Sequence, residues 1–267
     1  MGARICCCNW LLGQLFNDER ALLVFMAAFI LLPIFAWIKR ESQWPLLSLI
    51  VFVGMGMWNS SMFILRQWCA MAILTFSYKY IKERRFVPFI LLVLIAMTFH
   101  RTAAIFILAY FMEEISIKLS TVFFSVPLSI VIGLLGGKVL SILNRFARIS
   151  EGGNFNGGVS MLIVLWLCVI VAFVCFKGQI PERLNFYFKL IFLAAFLQPI
   201  AFTFSNWARI VSYFSISLTV FLPNLIGELT GDNTRNIKLR IPVGMILIAM
   251  MFAWLEILNL DTYLFMR

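Results

Sequence analysis

A single histidine, His100, stands beside Arg101 and Thr102, and the pair Arg66-Gln67 opens the preceding apolar run. Arg209 and Tyr213 follow much later, four residues apart and so spaced to share one face of a helix. A neutral imidazole can take a proton from a hydroxyl, and neighbouring arginines favour the neutral form. The planar guanidinium fork suits bidentate contact with phosphate oxygens. These residue types therefore suit activation of a hydroxyl beside an anionic group. His100 is the candidate base, and Arg66, Gln67, Arg101, Thr102, Arg209 and Tyr213 are the binding candidates. Blander roles stay open for each: packing for His100, snorkelling to an interface for Arg66, and interfacial packing for Tyr213.

A second set lies in NRFARISEGGNFNGG, residues 144–158. Arg145 and Arg148 can bond to a glycan or phosphate, and Glu151 rivals His100 as general base. A plain solvated loop is the alternative. No GxxxxGK[ST], HExxH, GxSxG or GxGxxG occurs, so ATP hydrolysis, zinc proteolysis and dinucleotide use find no support. No metal or cofactor is expected.

The elements that must position these residues are continuous apolar runs. They cover residues 21–38, 44–65, 66–80, 86–99, 102–111, 121–143, 159–176, 186–204, 209–225 and 241–260. Most approach the roughly 20 residues that a spanning helix needs, and their lack of period-two alternation excludes a barrel. The expected fold is all-α: a polytopic membrane bundle of about ten transmembrane or half-spanning helices. Residues 86–99 would make a helix only about 21 Å long, and residues 102–111 a shorter one. The turn at His100 should therefore sit in a recess below the membrane surface, tolerated where polar groups face protein or water.

Composition agrees. The chain has 267 residues, 63% of them hydrophobic and 13% charged, with a mean hydropathy of +0.97. Soluble domains carry about a quarter charged residues. The longest polar interval, residues 227–240, is too short to fold alone, so residues 21–267 are read as one membrane domain with an outer loop at 144–158. Residues 1–20 are read as an interfacial or shortened amino-terminal segment without a convincing signal peptide.

The net charge of +10 is scattered in short clusters rather than gathered on one face, which argues against nucleic acid. Alternating the runs places lysines and arginines 39, 40, 79, 82, 84, 85, 118, 177, 183, 189, 235, 238 and 240 on one side. Arginines 4, 20, 66, 101, 145, 148, 209 and 267 fall on the other, and Lys138 lies within a run. The richer side should be cytoplasmic, leaving both termini outside. Every outer cation is then arginine, which fits an extracytoplasmic anionic ligand. Cys69, Cys168 and Cys175 lie in apolar runs and read as core residues. Cys6-Cys7-Cys8 leaves a lipidated or reactive terminus as a minor alternative, and no cysteine spacing suggests metal.

The order Asn59, Arg66-Gln67 with Cys69-Ala70, a basic turn, Ala96-Met97-Thr98-Phe99-His100-Arg101-Thr102-Ala103, and Arg209-Ile210 with Tyr213-Phe214 resembles the EpsG family of exopolysaccharide proteins. That family is related to Wzy-type exopolysaccharide and O-antigen polymerases. The resemblance spans roughly residues 20–225, and its most specific parts are RQ-x-x-A and A-x-x-F-H-x-[ST]-A. It implies a multi-pass protein of the bacterial inner membrane that joins repeat units carried on undecaprenyl diphosphate, with no cofactor. It also implies a chain-length regulator and a flippase as partners. Arg66, Gln67, His100, Thr102, Arg209 and Tyr213 match its pattern, whereas Arg101 occupies a variable position. An opening helix and an acidic aromatic segment resembling GxDxxNY are not found, as expected of a shortened amino terminus.

Three other readings compete. A membrane O-acyltransferase would also place a histidine in a recess, but would draw its acyl donor from the cytoplasm. A flippase would line a continuous path with arginines. A non-catalytic component of polysaccharide export would need neither.

Overall fold

Apolar sequence without alternation folds into helices in the described part of the chain. A computed structural model describes residues 19–147, 158–202 and 207–230. The elements are α1 (Glu19–Glu41), α2 (Pro45–Gly54), α3 (Met57–Phe63), α4 (Leu65–Leu74), α5 (Ser77–Lys82), α6 (Phe86–Phe99), a 3-10 helix at Arg101–Phe106 and α7 (Ile107–Met112). They continue with α8 (Leu119–Ala147), α9 (Gly158–Cys175), α10 (Glu182–Leu197), a 3-10 helix at Gln198–Phe202, α11 (Trp207–Ser215) and α12 (Leu218–Thr230). No strand occurs among the described residues.

Local chemistry explains several boundaries. Lys39 and Arg40 occupy the last turn of α1, where cations meet the negative end of the helix dipole. Pro45 starts α2, a position where its missing N–H costs nothing. Glu182 sits in the first turn of α10 behind Pro181, and α6 ends where His100 turns extended, φ −147° and ψ 115°.

Leu23–Glu41, Glu182–Phe202 and Trp207–Leu229 are long and apolar enough to cross a membrane. Pro45–Gly54 and Met57–Phe63 are long and apolar enough only as a pair, and are bent by 61° at the break, the form of a broken span or a re-entrant loop. Phe86–Phe99, Arg101–Met112, Leu119–Leu135 and Val159–Cys175 are shorter apolar stretches. The expected runs are therefore present as helices, but several are divided. The run 44–65 breaks at Gly56, whose φ of 67° is left-handed and suits glycine. The runs 66–80 and 209–225 also divide, into α4 with α5 and α11 with α12. The run 241–260 lies outside the described residues.

α10 is the axis of the bundle, with Leu184 and almost every residue from Phe186 to Ala195 buried. α9, α11, α12 and the 3-10 helix at 198–202 pack around it, while α4 packs between α1 and α6. An aromatic column runs through the interior: Tyr187, Tyr78, Phe106 and Phe214 follow one another with ring centroids 6.2, 5.6 and 5.9 Å apart, the first and last pairs stacked and the middle one tilted. It joins the α5 end of the protein to the 3-10 turn after His100. Cys69 and Cys168 are buried as expected, but Cys175 is exposed, because it ends α9 on an outward face.

Candidate functional site

Each polar end of the bundle is built from different chemistry. At one end Glu41 accepts from Lys82 Nζ at 2.6 Å, Tyr187 Oη at 2.8 Å and Arg40 Nε at 3.0 Å. Lys82 Nζ also lies 4.8 Å from the centroid of the Tyr187 ring. Arg84 donates to the Tyr110 carbonyl at 3.0 Å and pairs with Glu114, while the Tyr110 hydroxyl donates back to the Arg84 carbonyl at 3.0 Å. Lys189 is buried, with Nζ 2.6 Å from the Glu113 carbonyl oxygen. Gln43 and Asn224 close this end, the Gln43 N–H donating to Asn224 Oδ1 at 2.7 Å and Gln43 Nε2 to Glu228 at 3.1 Å. The basic turn at 79–85 is thus largely neutralised by carboxylates.

The other end holds Arg66 at the start of α4, His100 and Arg101 after α6, and Arg209 in the first turn of α11. Three elements far apart in sequence meet here, since α4 packs on α6 and the 3-10 turn at 101–106 packs on α11. Among the described residues, none of Arg66, Arg101 and Arg209 forms an ion pair. All three are exposed. His100 is half-buried; that burial, then the Arg66 and Arg209 charges, hold its imidazolium below the usual histidine range. The two guanidinium groups therefore act on the imidazole from separate helices. The result is a neutral base among unpaired cations, a combination that can accept a proton beside an anion.

The remaining matched residues support this group from inside the protein. Gln67 is among the binding candidates of the sequence. Its side chain is instead 1% exposed, and Nε2 donates to the Arg209 carbonyl at 2.5 Å and to Ser212 Oγ at 2.6 Å. Ser212 Oγ in turn donates to the Arg209 carbonyl at 2.6 Å. Gln67 Oε1 is buried without a partner among the described residues, and such an orphaned acceptor costs about 1–3 kcal/mol. Tyr213 is buried too, its hydroxyl 3.3 Å from Thr102 Oγ1. Sequence reading missed Ser212, because a serine on an apolar helix gives no signal of its own and only the fold brings Gln67 to it.

The second candidate set falls on residues whose side chains lie outside the described part of the structure. Arg145 lies on the backbone of α8, and Arg148 and Glu151 lie outside the described residues. Glu151 therefore stays a rival base on sequence grounds alone.

The geometry brings together the residues of the two sequence patterns, RQ-x-x-A and A-x-x-F-H-x-[ST]-A, with the Arg209 helix. A model of the EpsG family matches residues 7–266. The chain belongs to the EpsG family. This is a Wzy-like polymerase family, and the match extends beyond residues 20–225 to nearly the whole chain. Searches of curated proteins and of solved structures return no match. Membership and the apolar helices make this EpsG member a membrane protein related to exopolysaccharide polymerisation.

Proposed function

We propose that the protein is a polysaccharide polymerase-like glycosyltransferase that joins undecaprenyl-diphosphate-linked repeat units on the outer side of the bacterial inner membrane. The observation that carries the reading is the segregation of charge. Among the described side chains, Glu41, Glu83, Glu113, Glu114, Glu182 and Glu228 belong to the α5 end, while Arg66, Arg101 and Arg209 gather with His100 at the other. Three guanidinium groups without a carboxylate partner among the described residues give this end a positive potential that favours an anion. A lipid-linked diphosphate supplies that anion.

In this reading the acceptor hydroxyl oxygen attacks the anomeric carbon of the donor sugar and the carbon–oxygen bond to the diphosphate breaks. The diphosphate departs on its lipid, and the hydroxyl proton passes to His100. Arg66 and Arg209 offset the charge developing on the leaving oxygen, the electrostatic stabilisation that often dominates transfer reactions. Arg101, Arg145 and Arg148 would extend the binding surface towards the glycan. The chain forms one membrane domain over residues 21–267, of about ten transmembrane or half-spanning helices, multi-pass in the bilayer. Its expected partners are a chain-length regulator and a flippase. The break between α6 and the 3-10 turn supports a recess at His100, because an interrupted helix at membrane depth requires a protein or water surface beside it.

The deciding experiment replaces the native cysteines, introduces His100→Cys, and labels intact cells with a membrane-impermeant thiol reagent. Labelling from outside, blocked by lipid-linked oligosaccharide, is the expected result. Labelling only after access to the cytoplasm would overturn the outer site and favour an O-acyltransferase. In parallel, unchanged polymer length and yield in both His100→Ala and Glu151→Ala would remove the base assignment.

A further inference from the structure

Gln67 links the two arginines that the proposed function uses, and it does so without reaching solvent. It follows Arg66 directly in α4, while its amide nitrogen ends 2.5 Å from the backbone carbonyl of Arg209 in α11. The carbonyl can only accept, so the amide orientation is set by chemistry: the N–H groups must face Arg209 and Ser212, and Oε1 must face away. Ser212 Oγ closes the triangle, 2.6 Å from both Gln67 Nε2 and the Arg209 carbonyl. Met71 flanks it one turn along α4, with Sδ 3.8 Å from Ser212 Oγ. α4 and α11 thus share a hydrogen-bonded contact at the residues that carry, or directly follow, the two arginines.

We infer that Gln67 and Ser212 are positioning residues that fix the separation of Arg66 and Arg209, and so set the fit of the site to a lipid-linked diphosphate. The inference rests on the proposed function. It assigns Gln67 a role through Arg209 rather than a contact with the ligand, and it gives Ser212 a role that neither composition nor sequence pattern suggests. Gln67 Oε1 has no partner among the described residues, so glutamine here costs stability that an apolar residue of the same size would avoid. Such a cost at a buried site is consistent with selection for geometry.

The test uses the full chain purified in detergent, with undecaprenyl diphosphate as probe and undecaprenyl monophosphate as comparison. Affinity is followed by intrinsic tryptophan fluorescence, and thermal unfolding is recorded for every variant. Arg66→Ala and Arg209→Ala should each weaken diphosphate binding. Gln67→Met keeps the volume and removes both donors; it should weaken binding by about tenfold, in keeping with the cost of small misplacements. Combined with Arg209→Ala, Gln67→Met should add little, because both act on the same interaction. Ser212→Ala should show a smaller loss and Ser212→Thr, which keeps the hydroxyl, should restore binding; this pair carries the test if Gln67→Met does not fold. Wild-type binding by a folded Gln67→Met, or by Ser212→Ala, overturns the positioning role. So does full additivity with Arg209→Ala, which would mark a merely structural residue. If Arg66→Ala and Arg209→Ala themselves bind like wild type, the proposed function fails and the positioning role fails with it.

Discussion

Thr102 Oγ1 and Tyr213 Oη lie 3.3 Å apart and join the 3-10 turn after His100 to the second turn of α11. The bond is the polar counterpart of the Phe106–Phe214 stack one layer deeper, so the loop bearing His100 is held to the helix bearing Arg209 twice over. Tyr213→Phe should remove the hydrogen bond while leaving the ring in place, and should cost about 1 kcal/mol, the net worth of a typical intramolecular bond. Thr102→Val should cost a similar amount, and the double variant little more than either. Thermal unfolding of the three proteins in detergent measures the coupling.

A titration should report the charges around His100. Burial first, then Arg66 and Arg209, lower its pKa from the ordinary 6.5. The base form is the neutral one, so activity should be retained as pH falls to 6.5 and be lost only as it passes through the lowered folded-state value. Replacing Arg66 with Gln removes a like charge, raises that pKa and should move the acid limb of the kcat/KM profile to higher pH; Arg209→Gln should do the same. An acid limb that stays in place in both variants would show that another group is the base. Both variants should also lower the rate itself, so the position of the limb, rather than its height, is the quantity to compare.

Much of this site was readable from the sequence because its signals are local. The α6 boundaries, residues 86–99, coincide with the apolar run, since a polar pair follows it directly and a basic turn precedes it. Convergence of His100, Arg66 and Arg209 was legible only as a consequence of alternating helices, and the distances that make it chemistry depend on packing. The break at Gly56 was not legible, as glycine within an apolar run is common and only its positive φ reveals the turn. Nor were the Glu41–Lys82 and Arg84–Glu114 pairs, whose partners are separated by 41 and 30 residues. A count of positive charges reads those cations as topology signals, although the fold also uses them as clamps.

The clamp at Glu41 should matter for stability and little for the reaction. Glu41 accepts three hydrogen bonds, from Lys82, Tyr187 and Arg40, and its side chain is 15% exposed. Glu41→Ala strands the Lys82 ammonium over the Tyr187 ring and leaves a tyrosine hydroxyl without its acceptor. The expected loss is about 2 kcal/mol, within the range for hydrogen bonds to charged groups. Lys82→Met should cost less, because the carboxylate retains Tyr187 and Arg40. Unfolding temperatures of the two variants should fall in that order, with affinity for undecaprenyl diphosphate unchanged in the folded protein.

Gly133 provides the most stringent test of how α8 meets the 3-10 helix at Gln198–Phe202. A methyl group added at Gly133 would stand 2.5 Å from Pro199 Cβ and 2.8 and 2.9 Å from the Pro199 carbonyl oxygen and carbon. Two of those atoms are backbone, and proline allows its φ little movement, so the contact cannot be relieved by rotating a side chain. Gly133→Ala would gain helix propensity of about 1 kcal/mol elsewhere, yet here it should destabilise by about 1–3 kcal/mol, the usual cost of overpacking. Because the 3-10 helix packs directly on α11, the strain should also reach Arg209. The variant should therefore unfold at lower temperature and bind undecaprenyl diphosphate more weakly while folded. An unfolding temperature at or above that of the wild type would show that α8 and Pro199 do not meet so closely.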